Sequence, residues 1–485
     1  MSHFAAAHGS SGWDGSFRHP WDLQTALSGG KGRVLPGDTI WLKGGTYRGP
    51  FRSRLVGSSL APIVVRQYPG ERAIIDGAGS HYDTFVAAGA HTVFWGFELT
   101  NTDPRGSSSP SATERADMVA NYASHTKFIN LILHDGGVGF YASSDAGDVE
   151  ISGCVIYNIG YQGPDRGHGH AVYAKSDFGP LLVRDNVMFN QYGFGVHAYT
   201  NRATGQLHNI HIDGNVIFDS GVLSTNSHSA NILAGGGQVP ADDLSVRDNM
   251  TYFVTSYGAT NIQVGPTSAL QNGSVAVSNN YAVGGTPVLY LGYWREASVT
   301  GDTLVGTSDI VTLADPDAAG GLGASGASGG SGATGEQWSQ NVYYRDPGAA
   351  AWAYRGTRYP FHKWRAASGR GASDRVADVA PRTAHIAVLP NRYESGRATI
   401  VVYNWSRAAS VTVDVLGVLA QGDRYEVRNV QDLFGEPVVS GRYSGEPISV
   451  PMAGVRPPPP FGMPTSRAPM TGPDFDVFLL TRVAP

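Results

Sequence analysis

Between about residues 90 and 310, apolar and polar positions alternate in short runs of period two, punctuated by turn residues, and helical spacing is absent. One set of strands reads ADMVAN (116–121), GFYASS (139–144), AVYAKS (171–176), GVHAYT (195–200), NILAGG (231–236), NIQVGP (261–266) and VLYLGY (288–293). Strict alternation turns Phe140, Val172, Val196, Ile232, Ile262 and Leu289 inward, followed by Ala142, Ala174, Ala198, Ala234, Val264 and Leu291. A second set reads FINLI (128–132), ISGCVI (151–156), VRDNVMF (183–189), IDGNVIF (212–218), VRDNMTY (246–252) and VSNNYAV (277–283). Its shared positions are Asn130, Cys154, Asn186, Asn215, Asn249 and Asn280, spaced by 24, 32, 29, 34 and 31 residues. An Asn recurring once per turn of a solenoid has a physical reason. It tolerates the left-handed backbone of a bend between strands, and its amide can hydrogen-bond the Asn stacked above and below. The pattern predicts a right-handed parallel β-helix.

Residues 318–336 are low-complexity Gly, Ser and Ala and read as a flexible insertion; RYPFHKWRAASG (358–369) reads as a capping segment. From about 383 the runs AHIAVLPN, RATIVVYNW, SVTVDV, DRYEVRNV and DVFLLTRV alternate between turns, the pattern of an antiparallel β-sandwich. The expected organisation is all-β: a β-helix with an N-terminal cap over 1–375 and a C-terminal β-sandwich domain over 383–485.

The segment RVLPGDTIWLKGGTYRGPF, continuing to APIVVRQYPGERAIIDG within residues 30–80, resembles the opening coils of bacterial polysaccharide-active β-helix proteins of the alginate lyase and chondroitinase B type. DGSFRHPWDLQTAL (14–27) resembles the short cap that closes their coil. The resemblance spans roughly the first three hundred residues and speaks for fold more than reaction. The Lys, Arg and acidic calcium ligands of that type cannot be matched here, so no residue role is carried over; calcium stays open as a cofactor, and otherwise none is expected. The last hundred residues resemble the β-domains of multidomain glycosidases.

Composition agrees with many short strands and tight turns: 64 glycines in 485 residues, 23 tyrosines, and only 15% charged residues. A net charge of −5 without a basic patch gives no reason to expect a nucleic-acid partner. No apolar run is long enough to span a membrane. The single cysteine, Cys154, excludes an internal disulfide. MSHFAAAHGSSGWDGS lacks the basic start and apolar core of a secretion signal. Because the chemistry below is normally extracellular, the expectation is a secreted or periplasmic bacterial protein whose signal has been removed, monomeric or trimeric.

In a β-helix, function belongs on an outward sheet face, where side chains of successive coils stack about 4.8 Å apart. The first outward column holds Asp117, Gly139, Ala171, Gly195, Asn231 and Asn261. The second holds Val119, Tyr141, Tyr173, His197, Leu233, Gln263 and Tyr290, and the third Asn121, Ser143, Lys175, Tyr199 and Gly235. The loop GPDRGHGH adds Asp165, Arg166, His168 and His170. Aromatics pack on sugar faces, while Lys, Arg and His bind carboxylates and move protons. Stacked tyrosines also simply favour one another across strands; the conjunction of Lys, His and Tyr beside a His-rich loop favours a site. Lys175, His197, Tyr173, Tyr199, Arg166 and Asp117 are the catalytic candidates. Tyr141, His168, His170, Asp165, Asn231 and Asn121 are the candidates for holding substrate. His168 and His170 also suggest a transition-metal pair, but spacing supplies no third ligand and no metal site is assigned.

Hydrolysis of a glycosidic bond asks for two carboxyl groups, here Asp117 with Asp165 or Asp135. Elimination asks for a cation on the uronate carboxylate, a base for the neighbouring proton and an acid for the leaving oxygen. Arg166 or Lys175 can neutralise, His197, Tyr173 or Lys175 can be the base, and Tyr199 or Tyr141 the acid. The leading expectation is therefore a polysaccharide lyase, with a glycoside hydrolase as alternative and an epimerase or binding module behind them.

Overall fold

Phe140, Val172, Val196, Ile232, Ile262 and Leu289 stand opposite one another on successive parallel strands, as the alternation predicts. All six are buried. Each buried branched or aromatic side chain contributes about 1.5–3 kcal/mol, so this column and its counterparts on the other faces hold the coil closed. The structure is a computed structural model, describing residues 1–102, 115–200, 205–254, 257–265, 270–314, 337–462 and 468–483. The Gly/Ser-rich stretch 318–336 lies outside the described residues.

The chain divides into two compact units, Met1–Asp378 and Val379–Pro485. Unit one is a right-handed parallel β-helix. Its coils contribute in turn to three sheets of twelve strands each among the described residues. The first sheet begins with Ser2–Ala5, the second with Gly45–Arg48 and the third with Phe51–Ser53. The short helix Leu23–Leu27 follows Asp22, whose carboxylate accepts from the Thr25 N–H at 2.8 Å, and it buries Leu23, Ala26 and Leu27 at the N-terminal end. At the other end the helix Phe361–Ser368 buries Phe361 and Trp364.

One strand departs from the expected register. Val119 pairs with Phe140 and with Phe85, so it points into the core, and Ala120 takes the place beside Tyr141. Asp117, Val119 and Asn121 are thus each one position out of the columns assigned from sequence. In ADMVAN the run Met118-Val119-Ala120 is apolar throughout, so period two does not choose its face; stacking on Phe85 and Phe140 does.

The asparagine ladder is real and longer than expected. The Cys154 N–H donates to Asn186 Oδ1, Asn186 to Asn215, Asn215 to Asn249 and Asn249 to Asn280, at 2.9–3.1 Å. It continues through Asp302, Asn341 and Asp374. The bend itself falls one residue earlier than anticipated: Asp185, Gly214, Asp248 and Asn279 are left-handed, not the ladder asparagines. Asn130 is one of these bend residues (φ 52°) and sits level with Gly153, off the ladder.

Unit two contains a five-stranded antiparallel sheet in the order His385–Pro390, Arg397–Tyr403, Phe475–Val483, Arg424–Asn429, Val439–Arg442. A two-stranded ribbon of Ser410–Val413 and Ile448–Pro451 completes it. Ile400, Val402, Val413, Val427, Phe478 and Leu480 form its core.

Candidate functional site

On the third sheet one outward column runs Arg52, Val86, Ala120, Tyr141, Tyr173, His197, Leu233 in continuous register. The strand spacing brings neighbours in this column into ring contact. The Tyr141 and Tyr173 rings lie 6.0 Å apart, and Tyr173 stacks on His197 at 5.2 Å and 16°. His197 is further sandwiched by Phe194 (4.5 Å, 6°) and Tyr199 (5.2 Å, 5°), with the His170 ring 4.3 Å away. Lys175, two residues beyond Tyr173, sets its ammonium 4.2 Å from the Tyr173 centroid and 5.2 Å from that of Tyr141.

Burial dominates the electrostatics. Desolvation, reinforced by the Arg166 and Lys175 charges, lowers the His197 pKa to about 3, so the imidazole is neutral at any physiological pH. Its Nδ1 is buried and has no hydrogen-bond partner among the described residues. His170 is also pushed well below the usual histidine range, by burial and then by His197, and its Nδ1 accepts from the Phe194 N–H at 3.2 Å. Lys175 is lowered to about 8 by desolvation, with no carboxylate of the described residues acting on it. An unpaired, desolvated lysine beside neutral imidazoles and phenols is a candidate proton acceptor near neutrality.

The loop before this strand folds into a small hairpin, Tyr161–Gln162 against Gly167–His168. It is tied to residues 224–227 by Gln162 to Asn226 (2.7 Å) and by Gly167 N–H to Ser227 (2.9 Å). Asp165, Arg166 and His168 ride on it: His168 Nε2 contacts Asp165 at 2.8 Å, and Asp165 is exposed beside Arg166. The charge of Arg166 reaches both His170 and His197.

Six predicted residues therefore meet in one patch: Tyr141, Tyr173, Lys175, His197, Tyr199 and His170, with Arg166 at electrostatic range. Three others are structural. Asn231 accepts from Ser220 and donates to Tyr252 and Asn261, a second ladder inside the coil, so its amide is not free for substrate. Asn121 closes a turn on Ala123. Asp135 lies beyond a second-sheet strand and holds His134 at 2.7 Å, opposite Glu98 at 3.0 Å. His168 and His170 do not converge on a common point, since one faces Asp165 and the other Phe194. Among the described residues no group of three His, Cys, Asp or Glu is placed to hold a metal ion.

Sequence reasoning missed Arg52, Asp83 and Tyr122, which lie near the predicted Asp117 at one end of the patch. Asp83 and Asp117 both act on the Tyr122 hydroxyl, which is raised chiefly by burial, and Arg52 tempers it. Tyr122 lies 5.9 Å from Tyr141, whose hydroxyl is raised by burial and then by Tyr122, Tyr173 and Asp117. Burial also raises the Asp83 carboxyl. Extending the outward alternation back through FRS (51–53) would have placed Arg52 in the Tyr141 column; Asp83 sits in a loop that no period reveals.

No family model and no curated protein matches this sequence. Among solved structures the chain is similar to the pectate lyase Pel9A (18% identity, 64% of this chain and 77% of that one, TM-score 0.46). It is also similar to a GH136 lacto-N-biosidase from Eubacterium ramulus (12%, 78% and 68%, TM-score 0.48). A third similar structure is the complex of XylC with xylose (10%, 97% and 97%, TM-score 0.49). No described helix is long and apolar enough to cross a membrane.

Proposed function

We propose that this protein is a carbohydrate-active enzyme that cleaves a uronate-containing polysaccharide by β-elimination in the groove around Tyr141, Tyr173, Lys175 and His197. The carrying observation is Lys175: a buried amine lowered to about 8, lying across two tyrosine rings without a carboxylate partner among the described residues. In its neutral form it takes the proton from the carbon beside the uronate carboxylate. The C–O bond to the leaving sugar breaks, a C=C bond forms, and a tyrosine hydroxyl, Tyr141 or Tyr199, protonates the departing oxygen. Arg166 on the hairpin neutralises the uronate. Neutral His197 and the rings about it form the wall on which the sugar packs.

A second reading, glycoside hydrolysis, is favoured by one observation. The charges of Asp83 and Asp117 both act on Tyr122, and burial raises the Asp83 carboxyl, as suits the acid of a carboxyl pair. Asp83 thereby replaces Asp135 and Asp165 as partner of Asp117.

The two readings separate on one panel of uronate and neutral polysaccharides. Elimination yields an unsaturated product absorbing near ~235 nm and is abolished in Lys175→Ala. Reducing ends without that absorbance, lost in Asp83→Asn and retained in Lys175→Ala, would replace elimination by hydrolysis.

A further inference from the structure

A separate aromatic and cationic surface lies on the first three coils, on the first sheet, away from the groove. Trp41, Arg66 and Trp95 stand in register on adjacent strands. The Arg66 guanidinium lies 4.0 Å from the Trp95 centroid and 5.6 Å from that of Trp41. Tyr68 packs edge-on against Trp41 (5.9 Å) and meets Phe17 (5.8 Å), over which the Lys43 ammonium sits at 3.9 Å. Beyond Phe17 opens a cleft of about 620 Å³ lined by Trp13, Phe17, His8, Arg18, Lys43 and Arg48 among others.

Two features set this apart from ordinary cross-strand packing. Trp13 and Phe17 are 43% and 47% exposed, and Trp41, Arg66 and Trp95 are only half-buried. Water-facing aromatics at this density are costly unless they meet a ligand. The charge is also one-sided. Arg18 and Lys43 face the cleft beside one lining carboxylate, Glu71, which is engaged by the Gly44 N–H, while Arg48 is paired with Asp76 at 2.9 Å.

We infer that this band is a second carbohydrate-binding site, holding an anionic oligosaccharide of uronate residues along the Trp95–Arg66–Trp41 ridge and into the cleft at Phe17 and Lys43. Trp41 and Trp95 are two strands apart, about 9.6 Å, close to the length of a disaccharide, so alternate sugars pack on the exposed part of an indole whose inner face holds Arg66. The intervening guanidinium and then Lys43 and Arg18 meet carboxylates. The site lies two to five coils from Lys175 along the axis. It would keep a long polymer on the enzyme between turnovers without taking part in bond cleavage.

The test uses the full chain carrying Lys175→Ala, so that turnover is absent. Affinity electrophoresis and tryptophan fluorescence are run with oligogalacturonate and oligomannuronate, with neutral xylo-oligosaccharide as control. Binding of an oligouronate is expected. It should weaken at least about tenfold in Trp41→Ala/Trp95→Ala, as the loss of two stacking contacts implies, and likewise in Arg18→Glu/Lys43→Glu, which leaves the sheet intact. In the otherwise wild-type chain these variants should leave cleavage of short oligosaccharides unchanged. Absence of uronate binding, undiminished binding by either double variant, or equal affinity for the neutral sugar would overturn the inference. Because binding is read without catalysis, failure of the elimination reading leaves this outcome separately visible.

Discussion

The ammonium of Lys175 lies 4.2 Å from the centre of the Tyr173 ring, and the opposite neighbour of that ring, His197, stacks on it at 5.2 Å. A cation and a neutral imidazole thus share one phenol. The pH dependence expected of the patch follows from this arrangement.

If Lys175 is the base, the rate should rise with pH through about 8 and level off above it, because only the neutral amine accepts a proton. Lys175→Arg keeps the charge but cannot deprotonate, and should lose about 10²–10⁴-fold, as should Lys175→Ala. Initial-rate profiles from pH 5 to 10 check this; an arginine variant with full activity would remove Lys175 from the base role.

The same lysine carries a stability consequence. Its folded value, about 8, lies below the usual 10.5, so folding favours the neutral form. Below pH 8 both folded and unfolded chains are protonated and the cost of the buried charge is constant. Between 8 and 10.5 stability rises as the folded state alone has lost the proton. Lys175→Met should therefore raise Tm at pH 7, with an advantage that shrinks toward pH 10.5 in thermal scans.

His197 should contribute no limb to the pH–rate profile between 5 and 8, since it is already neutral there. Nitrogen chemical shifts of its imidazole should stay constant over that range. A titration midpoint near 6.5 would show that the ring is far more hydrated than its sandwich between Phe194 and Tyr199 implies.

The ladder predicts where the fold is vulnerable. Asn215 accepts from Asn186 and donates to Asn249 and to the Val183 carbonyl. Asn215→Leu leaves several buried groups unpaired and should cost on the order of 3 kcal/mol or more, read by denaturant unfolding.

Asp302 occupies an asparagine position in the ladder, and burial raises its carboxyl to about 7. A carboxyl raised in the folded state is protonated there while the unfolded chain is ionised. Stability is therefore greatest at low pH and falls as pH climbs from about 4 to 7. Asp302→Asn should abolish this slope and give a higher Tm at pH 8, by a few kcal/mol in stability terms. A variant whose stability follows the wild-type pH curve would contradict the buried, protonated ladder.

The coil, its inward column and the patch of Tyr141, Tyr173, His197 and Lys175 were all legible in the sequence. Each depends on strict alternation, and alternation survives wherever branched and small apolar residues share one face. Reading failed where that contrast vanished. Met118-Val119-Ala120 is apolar on both faces, and only stacking on Phe85 and Phe140 places Val119 inside. The amides of Asn121 and Asn231 proved structural because their partners, Ala123 and Asn261, are defined by turns and by coil stacking. Asp83 and Asp117 meet at Tyr122 across different coils, a proximity that no local pattern encodes. The protonation of Lys175 and His197 was likewise decided by tertiary structure, because it follows from how completely the surrounding rings exclude water.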